Sequence, residues 1–338
     1  MASIYNLNQQ VFCLNTISNL GNMYHGTADA IAAQTKTSIN SILGNAQIIG
    51  LIGNWCCVWG PKVVAAEGKA LNTMYIAKNA DTAQYVIAIA GTDSKSLLDW
   101  FLEDFLVTTK VDWPYISDAG SPHPMTSLST SIGLNALIGM AEVIDGDHIH
   151  ARDYLEKVAA KNVMVTGHSL GGALSPAYAL YLYDTMSQWA LRTQVTISCL
   201  PVAGATPGDK AFSDHYQAQL GASTTRVWNV KDVVPHGFEQ DMLRQIAAIY
   251  EPQIKTPIAI KGAVELIRLL TVTKGYTQLM PDVSGISSKI CDSITTFDQE
   301  LLCQHICAYA DYFQISTFQT CVQSILGLPS PFFSDGCS

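Results

Sequence analysis

Apolar, β-rich runs recur along the chain at 74–77, 85–90, 163–166, 195–200 and 226–230. Between several of them, apolar residues return at helical spacing, over 132–144, 149–160, 172–190 and 209–221. Upstream, 22–44 mixes small, polar and apolar residues with the same period, and Gly44 is placed to end that helix. Strands alternating with helices predict an α/β fold, a mainly parallel sheet covered by helices on both faces. Ligands of such sheets bind beyond the carboxyl ends of the strands. The rhythm breaks at 238–300, where helical stretches at about 240–250 and 258–270 precede a polar segment, 281–296. This pattern predicts a cap-like insertion over the ligand-binding end, within a single domain of residues 1–338.

One strand–helix junction is sharper than the others. Val163, Met164 and Val165 run through Gly167-His168-Ser169-Leu170-Gly171-Gly172 into Ala173–Tyr181, which has the small and apolar spacing of a packed helix. Strand, glycine-flanked turn and helix are the context of the G-x-S-x-G nucleophile elbow. The turn forces a serine into a strained backbone that glycine neighbours accommodate sterically. Ser169 then sits at a helix N-terminus, where N–H groups and the helix dipole favour developing negative charge. The flanking strand and helix favour a catalytic Ser169 over a merely structural turn.

Composition narrows the partners. Apolar residues make up 48% of the chain and charged residues 14%, which argues for a large core and against disorder. A formal net charge of −9 without a long basic run disfavours nucleic acid, whose binding needs Lys and Arg to neutralise phosphates. Residues 48–59 are apolar but too short for a transmembrane segment, and read as core. The N-terminal residues lack the basic start and continuous apolar stretch of a secretory signal; the reading leans to the cytoplasm and leaves a secreted mature chain open. Nine cysteines include five within 291–337, read here as free thiols, with disulfide bridges as the alternative.

A serine nucleophile needs a base, and the base an orienting acid. In the elbow architecture these follow in chain order Ser, acid, His. Asp232 lies just past the predicted strand 226–230, and is the candidate acid; the alternative is an Asp bonded to its own turn. His305 is the candidate base because it follows Asp232 and sits at the edge of a helical pattern, with His236 as the competitor in the Asp232 loop. Cys303-x-His305-x-Cys307 invites a metal reading, but on a helix His305 points away from the two thiols, and no metal is expected. The tetrahedral intermediate needs two N–H donors, expected from Leu170 and from Thr92, which follows the apolar run 87–90 and Gly91.

These residues together resemble the class 3, fungal-type lipases of the α/β-hydrolase superfamily. The likeness rests on Gly91-Thr92 with Asp99-Trp100, on Thr166-Gly167-His168-Ser169-Leu170-Gly171-Gly172-Ala173, and on Asn229-x-x-Asp232-x-Val234-Pro235-His236. Gly275-Tyr276 and His305 with Tyr309 complete it, over roughly residues 70–313. Two positions depart from the pattern: Ala90 stands where members often carry Arg, and Ser131-Ile132-Gly133-Leu134 where they often carry His-x-Gly-Phe. The resemblance implies acyl-ester hydrolysis with Ser169, Asp232 and His305 as triad, Thr92 and Leu170 as oxyanion hole, and no cofactor. It also makes the segment after Thr92, about 93–110, a lid. There Leu97, Leu98, Phe101, Leu102 and Phe105 recur at helical spacing beside Trp100, an apolar face able to close over a groove or lie on lipid; an ordinary core helix is the alternative. The expected activity is lipase cleavage of acylglycerols at a lipid–water interface. Phospholipase A1 or general carboxylesterase activity, and an inactive lipid-binding module, are the alternatives.

Overall fold

The computed structural model describes residues 3–91, 105–116 and 122–328. Its centre is a five-stranded sheet. In chain order the strands of the described residues are β1 (Trp55–Ala66), β2 (Lys69–Asn79), β3 (Gln84–Ile89), β4 (Lys110–Asp112), β5 (Met125–Ser127), β6 (Ala141–Ile144), β7 (Asp147–His150), β8 (Asn162–His168) and β9 (Thr196–Val202). The central sheet has the order β1-β2-β3-β8-β9; β4–β5 and β6–β7 form two small pairs outside it.

The sheet is mixed, which corrects the expectation of a mainly parallel one. β1, β2 and β3 pair antiparallel, and only β3, β8 and β9 are parallel. The reason is local. No helix lies between β1, β2 and β3; Glu67 and Gly68, with φ of 50° and 75°, make the tight reversal between β1 and β2. The run 226–230 is not a full strand either. It touches the sheet through an isolated bridge of Val202 with Val227, and a second bridge joins Asn229 to Ile286 outside the sheet. The pattern 132–144 divides into the helix Leu128–Gly139 and β6, and 22–44 into a short 3₁₀ turn, Asn19–Met23, and the helix Ala28–Leu43. The helical stretch 240–250 stops at Ile246, and 258–270 appears as Ile258–Thr271.

Helices cover both faces, and strand alternation sorts the core between them. Tyr85, Ile87 and Ile89 of β3 point to one face, against Leu174, Tyr178 and Phe212. Val86 and Ala88 point to the other, against Leu14, Ile17, Ile42, Tyr309 and Phe313. The helix Leu7–Ser18 on that second face was not legible from periodicity, because it is buried from Gln10 through Ser18 and has no polar stripe. A third apolar cluster joins Val233 and Val234, which follow Asp232, to Val107, Leu243, Ile246, Ile260, Val264, Ile267 and Phe297.

Two glycines set how closely the helix Leu170–Asp184 meets the sheet. A Cβ on Gly171 would lie 2.3 Å from the Ile89 carbonyl oxygen, and one on Gly172 would lie 2.1 Å from that of Val202. Backbone therefore packs on backbone at the junction, with no room for a methyl group. Gly172→Ala is expected to destabilise the protein by about 1–3 kcal/mol or more through overpacking. Thermal unfolding checks this, and an unchanged midpoint would contradict the contact.

Candidate active site

Ser169 stands between β8 and the helix Leu170–Asp184, with φ 61° and ψ −123°. This is the strained conformation that the elbow sequence predicts, of order 1–3 kcal/mol for a non-glycine residue. Its N–H donates to the Val202 carbonyl at 3.1 Å, and its carbonyl accepts from Ala173 at 3.1 Å. The backbone is thus held from the neighbouring strand and from the helix it starts. Leu170 is the first helical residue, where an N–H has no intrahelical acceptor.

His305 and Asp232 meet although 73 residues separate them. His305 Nδ1 donates to Asp232 Oδ2 at 2.8 Å and lies 3.0 Å from Oδ1; the side chains are 2% and 0% exposed. Asp232 Oδ2 also accepts from the Tyr309 hydroxyl at 2.8 Å, and Oδ1 from the Val234 N–H at 3.1 Å. A buried carboxylate is tolerable when its oxygens are satisfied in this way. With Nδ1 committed to the acid, Nε2 carries the basic lone pair of the neutral ring. His305 Nε2 and Ser169 Oγ are both buried, and neither has a hydrogen-bond partner among the described residues.

The turn carrying His305 is unusual. Cys303–Cys307 is a π-helical turn inside the run from Phe297 to Phe313, and four of its five residues are buried. Widening the helix turns Gln304 and His305 inward together, a recurring feature of functional sites. Gln304 accepts from Asn229 Nδ2 at 2.8 Å through Oε1, and its Nε2 donates to the buried Glu300 at 2.6 Å. Tyr309, one turn beyond His305, accepts from the Asn229 N–H at 2.9 Å while donating to Asp232. Burial, and then the Asp232 charge, push its phenol well above the usual range, so it remains a donor.

His168, the residue before Ser169, lies against the candidate base. Its Nε2 donates to the His305 carbonyl at 2.7 Å, and the two imidazoles lie 4.6 Å apart. Desolvation first, and then His305, push His168 well below its ordinary range, so it is neutral at pH 7. His236 is buried and donates through Nδ1 to the Asp232 carbonyl at 2.7 Å; burial lowers its pKa as well. His215 pairs with Asp184 at 3.0 Å, apart from these groups.

The end of β3 is clamped beside Ser169. A Cβ on Gly91 would lie 3.1 Å from that of Ser169. Asn15 Nδ2 donates to the Ile89 carbonyl at 2.9 Å, Asn19 Oδ1 accepts from the Gly91 N–H at 2.8 Å, and Asn22 Nδ2 donates to the Gly91 carbonyl at 3.2 Å. Sequence reasoning missed these three. Their spacing, i, i+4 and i+7, was the available signal, since it places them along one helical stripe. Thr92, Leu97, Leu98, Trp100, Phe101 and Leu102 lie outside the described residues. The backbone of Phe105 opens a 3₁₀ turn, Phe105–Thr108, and the described part of the expected lid ends with Lys110, the first residue of β4.

The cysteines differ from expectation. Cys291 and Cys303 form a disulfide, which corrects the reading of free thiols in this region; Cys13, Cys56, Cys57, Cys199 and Cys321 are free. Cys291, Glu300 and Cys303 are the one cluster of metal-donor atoms among the described residues. The disulfide occupies both sulfurs, and His305 faces Asp232 rather than this group.

Residues 86–242, the span from β3 past Asp232, match the sequence family described as lipase (class 3). That match spans a little under half of the chain, and Ser169 and Asp232 both lie within it. M37 lipase superposes on this chain with a TM-score of 0.85 at 26% identity, over 95% of this chain and 96% of that one. Lipase II from Rhizopus niveus gives 0.42 at 17% identity over 65% and 78% of the two chains. A mutant form of MDLA from Penicillium cyclopium gives 0.45 at 13% over 85% and 81%. No curated protein matches the chain by sequence. The matched segment together with the M37 lipase superposition supports a lipase-type hydrolase of α/β-hydrolase architecture with a mixed central sheet.

The two depressed histidines give the lipase a pH signature. Each keeps a folded-state pKa below its usual 6.5, so below that pH the unfolded chain binds protons that the native state refuses. Stability is therefore complete above about pH 6.5 and declines as pH falls, by up to about 1.4 kcal/mol per pH unit for each group. Urea unfolding at pH 7 and pH 5 measures the slope. His168→Gln and His236→Gln should each flatten it, and identical slopes in all three proteins would rule these histidines out as its source.

Proposed function

We propose that this lipase hydrolyses acylglycerols through an acyl-enzyme, with Ser169 as nucleophile, His305 as general base and Asp232 as the acid that orients it. The observation that carries the reading is the pairing of His305 Nδ1 with the buried Asp232, which leaves Nε2 and Ser169 Oγ as buried polar atoms without partners at the same end of the sheet. Such atoms cost free energy unless a substrate or a reacting partner engages them. Hydrogen bonds between nucleophile and base are often loose in ligand-free sites and tighten on binding.

In the first half-reaction His305 Nε2 takes the Ser169 proton as Oγ attacks the ester carbonyl, and then passes it to the leaving alcohol. Water repeats the sequence on the acyl-enzyme, and Ser169 is regenerated. Asp232 stabilises the imidazolium formed in each half, and Tyr309 with Val234 holds the carboxylate in place for it. The Leu170 N–H, at the start of its helix, is one donor to the oxyanion; Thr92, directly after the clamped Gly91, is the other. Residues 93–110 serve as the lid, through the apolar face of Leu97, Leu98, Trp100, Phe101, Leu102 and Phe105. No cofactor enters the scheme, and the substrate is met at a lipid–water interface.

Ser169→Ala is expected to lower ester turnover by about 10³-fold or more, to the residue left by binding and the oxyanion donors. Turnover of triolein, phosphatidylcholine and short p-nitrophenyl esters, measured side by side, should favour triolein. A preference for phosphatidylcholine would reassign the protein as a phospholipase, and undiminished turnover in Ser169→Ala would remove the serine mechanism.

A further inference from the structure

Exposed large apolar side chains are not spread evenly over the molecule. Ile258, Leu266, Leu269, Leu270 and Val272 are 89%, 48%, 58%, 40% and 54% exposed, and all fall in or just after the helix Ile258–Thr271. The helix buries Ile260, Val264, Ile267 and Thr271 on its inner side. At 100° per residue, Ile258, Gly262, Leu266, Leu269 and Leu270 fall together on the outer side. An ordinary surface helix carries charge there. This one is apolar twice over, on the side facing the core and on the side facing out.

Charge borders the outer stripe. From 255 to 274 the cations are Lys255, Lys261, Arg268 and Lys274, and the one acid is Glu265, in a chain whose net charge is −9. Lys261 and Arg268 follow one edge of the stripe, bonded to Glu251 and Glu265; Lys255 and Lys274 lie beyond its two ends. The helix also belongs to the working end of the molecule. Its inner residues Ile260, Val264 and Ile267 share an apolar cluster with Val233 and Val234, directly after Asp232, and with Val107 at the end of the lid segment.

We infer that the outer face of Ile258–Thr271 is an anchor that lays this end of the lipase on an anionic lipid surface. This rests on the reading of the protein as a lipase acting at an interface, and it adds a contact separate from the lid. The occupant must accept a flat row of leucines without offering hydrogen bonds, and must present negative charge at the edge of that apolar region. An anionic lipid layer does both. At about 1.5 Å per residue the helix is roughly 21 Å long, enough to lie along the boundary between headgroups and acyl chains. Among the described residues no helix is long and apolar enough to cross a membrane, so the contact is one of lying on the layer.

The test uses the full chain with Leu266→Asp and Leu269→Asp together, positions exposed in the native state. Co-sedimentation with vesicles of phosphatidylcholine containing phosphatidylglycerol should show partitioning weakened about tenfold or more. Turnover of a soluble p-nitrophenyl ester should be unchanged. Lys255→Gln with Lys274→Gln should weaken binding to these vesicles and leave binding to pure phosphatidylcholine as it was. Hydrogen exchange of the unsubstituted chain on the same vesicles should show new protection in 258–272, which decides the matter if a variant does not fold. Equal partitioning of folded variant and parent, or absence of that protection, would overturn the anchor. So would concentration-dependent self-association of the parent that Leu266→Asp with Leu269→Asp abolishes, because the face would then belong to a second copy. A failure of the lipase reading appears separately, as loss of soluble-ester turnover in the parent.

Discussion

A single buried negative charge organises the upper end of this sheet. The Asp232 carboxylate is fully enclosed, so every contact it makes must repay desolvation. Its partners come from three places: Val234 in its own loop, His305 in a π turn, and Tyr309 one turn further along the same helical run. Each of these is held by something else. Tyr309 accepts the Asn229 N–H, Asn229 bonds Gln304, and the His305 carbonyl receives His168 from the residue before Ser169. Moving any one of them exposes the charge or leaves it unpaired. The network ties the end of β8, the Asp232 loop and the C-terminal helical run into one unit.

Close backbone contact is the second constraint. Gly171 and Gly172 bring the helix after Ser169 against the carbonyls of Ile89 and Val202, at the ends of the two neighbouring strands. That approach sets where Ser169 stands between β3 and β9. The asparagines of the N-terminal helix and the turn after it hold the end of β3 from the opposite face. The serine is therefore bracketed by rigid backbone on either side, and its strained φ of 61° is maintained by surroundings that leave no relaxed alternative.

The region beyond Asp232 adds a different kind of surface. Its helices share one apolar cluster with the Asp232 loop and with Val107, so this part of the chain packs onto the end of the sheet that carries Ser169 instead of standing apart. An outer face rich in leucine and edged by lysine and arginine, in an acidic protein, places the attraction for a lipid layer next to the groups that would work on it. In this reading, binding at the surface and chemistry within the site are carried by neighbouring but separable residues.

Local signals determined much of this protein. The order strand, glycine turn, helix around Ser169 was readable because glycine spacing and apolar runs act over a few residues, and the positive φ at Ser169 follows from that spacing. The helices near 210–220 and 258–271 were readable for the same reason, their apolar residues recurring at helical spacing. Other features were decided only by tertiary structure. The sheet became mixed because tight reversals, and not crossover helices, join β1, β2 and β3, and β1 hid within an apolar stretch that had no alternation to mark it. The helix Leu7–Ser18 escaped notice because burial on nearly every side erases a helical period. The Cys291–Cys303 bridge, the arrival of His168 against His305, and the hold of Asn19 on Gly91 join residues that are 12, 137 and 72 positions apart. Residue type and spacing carry information about a chain's own neighbourhood; which distant groups meet is settled by packing, because only a closed core fixes their distance.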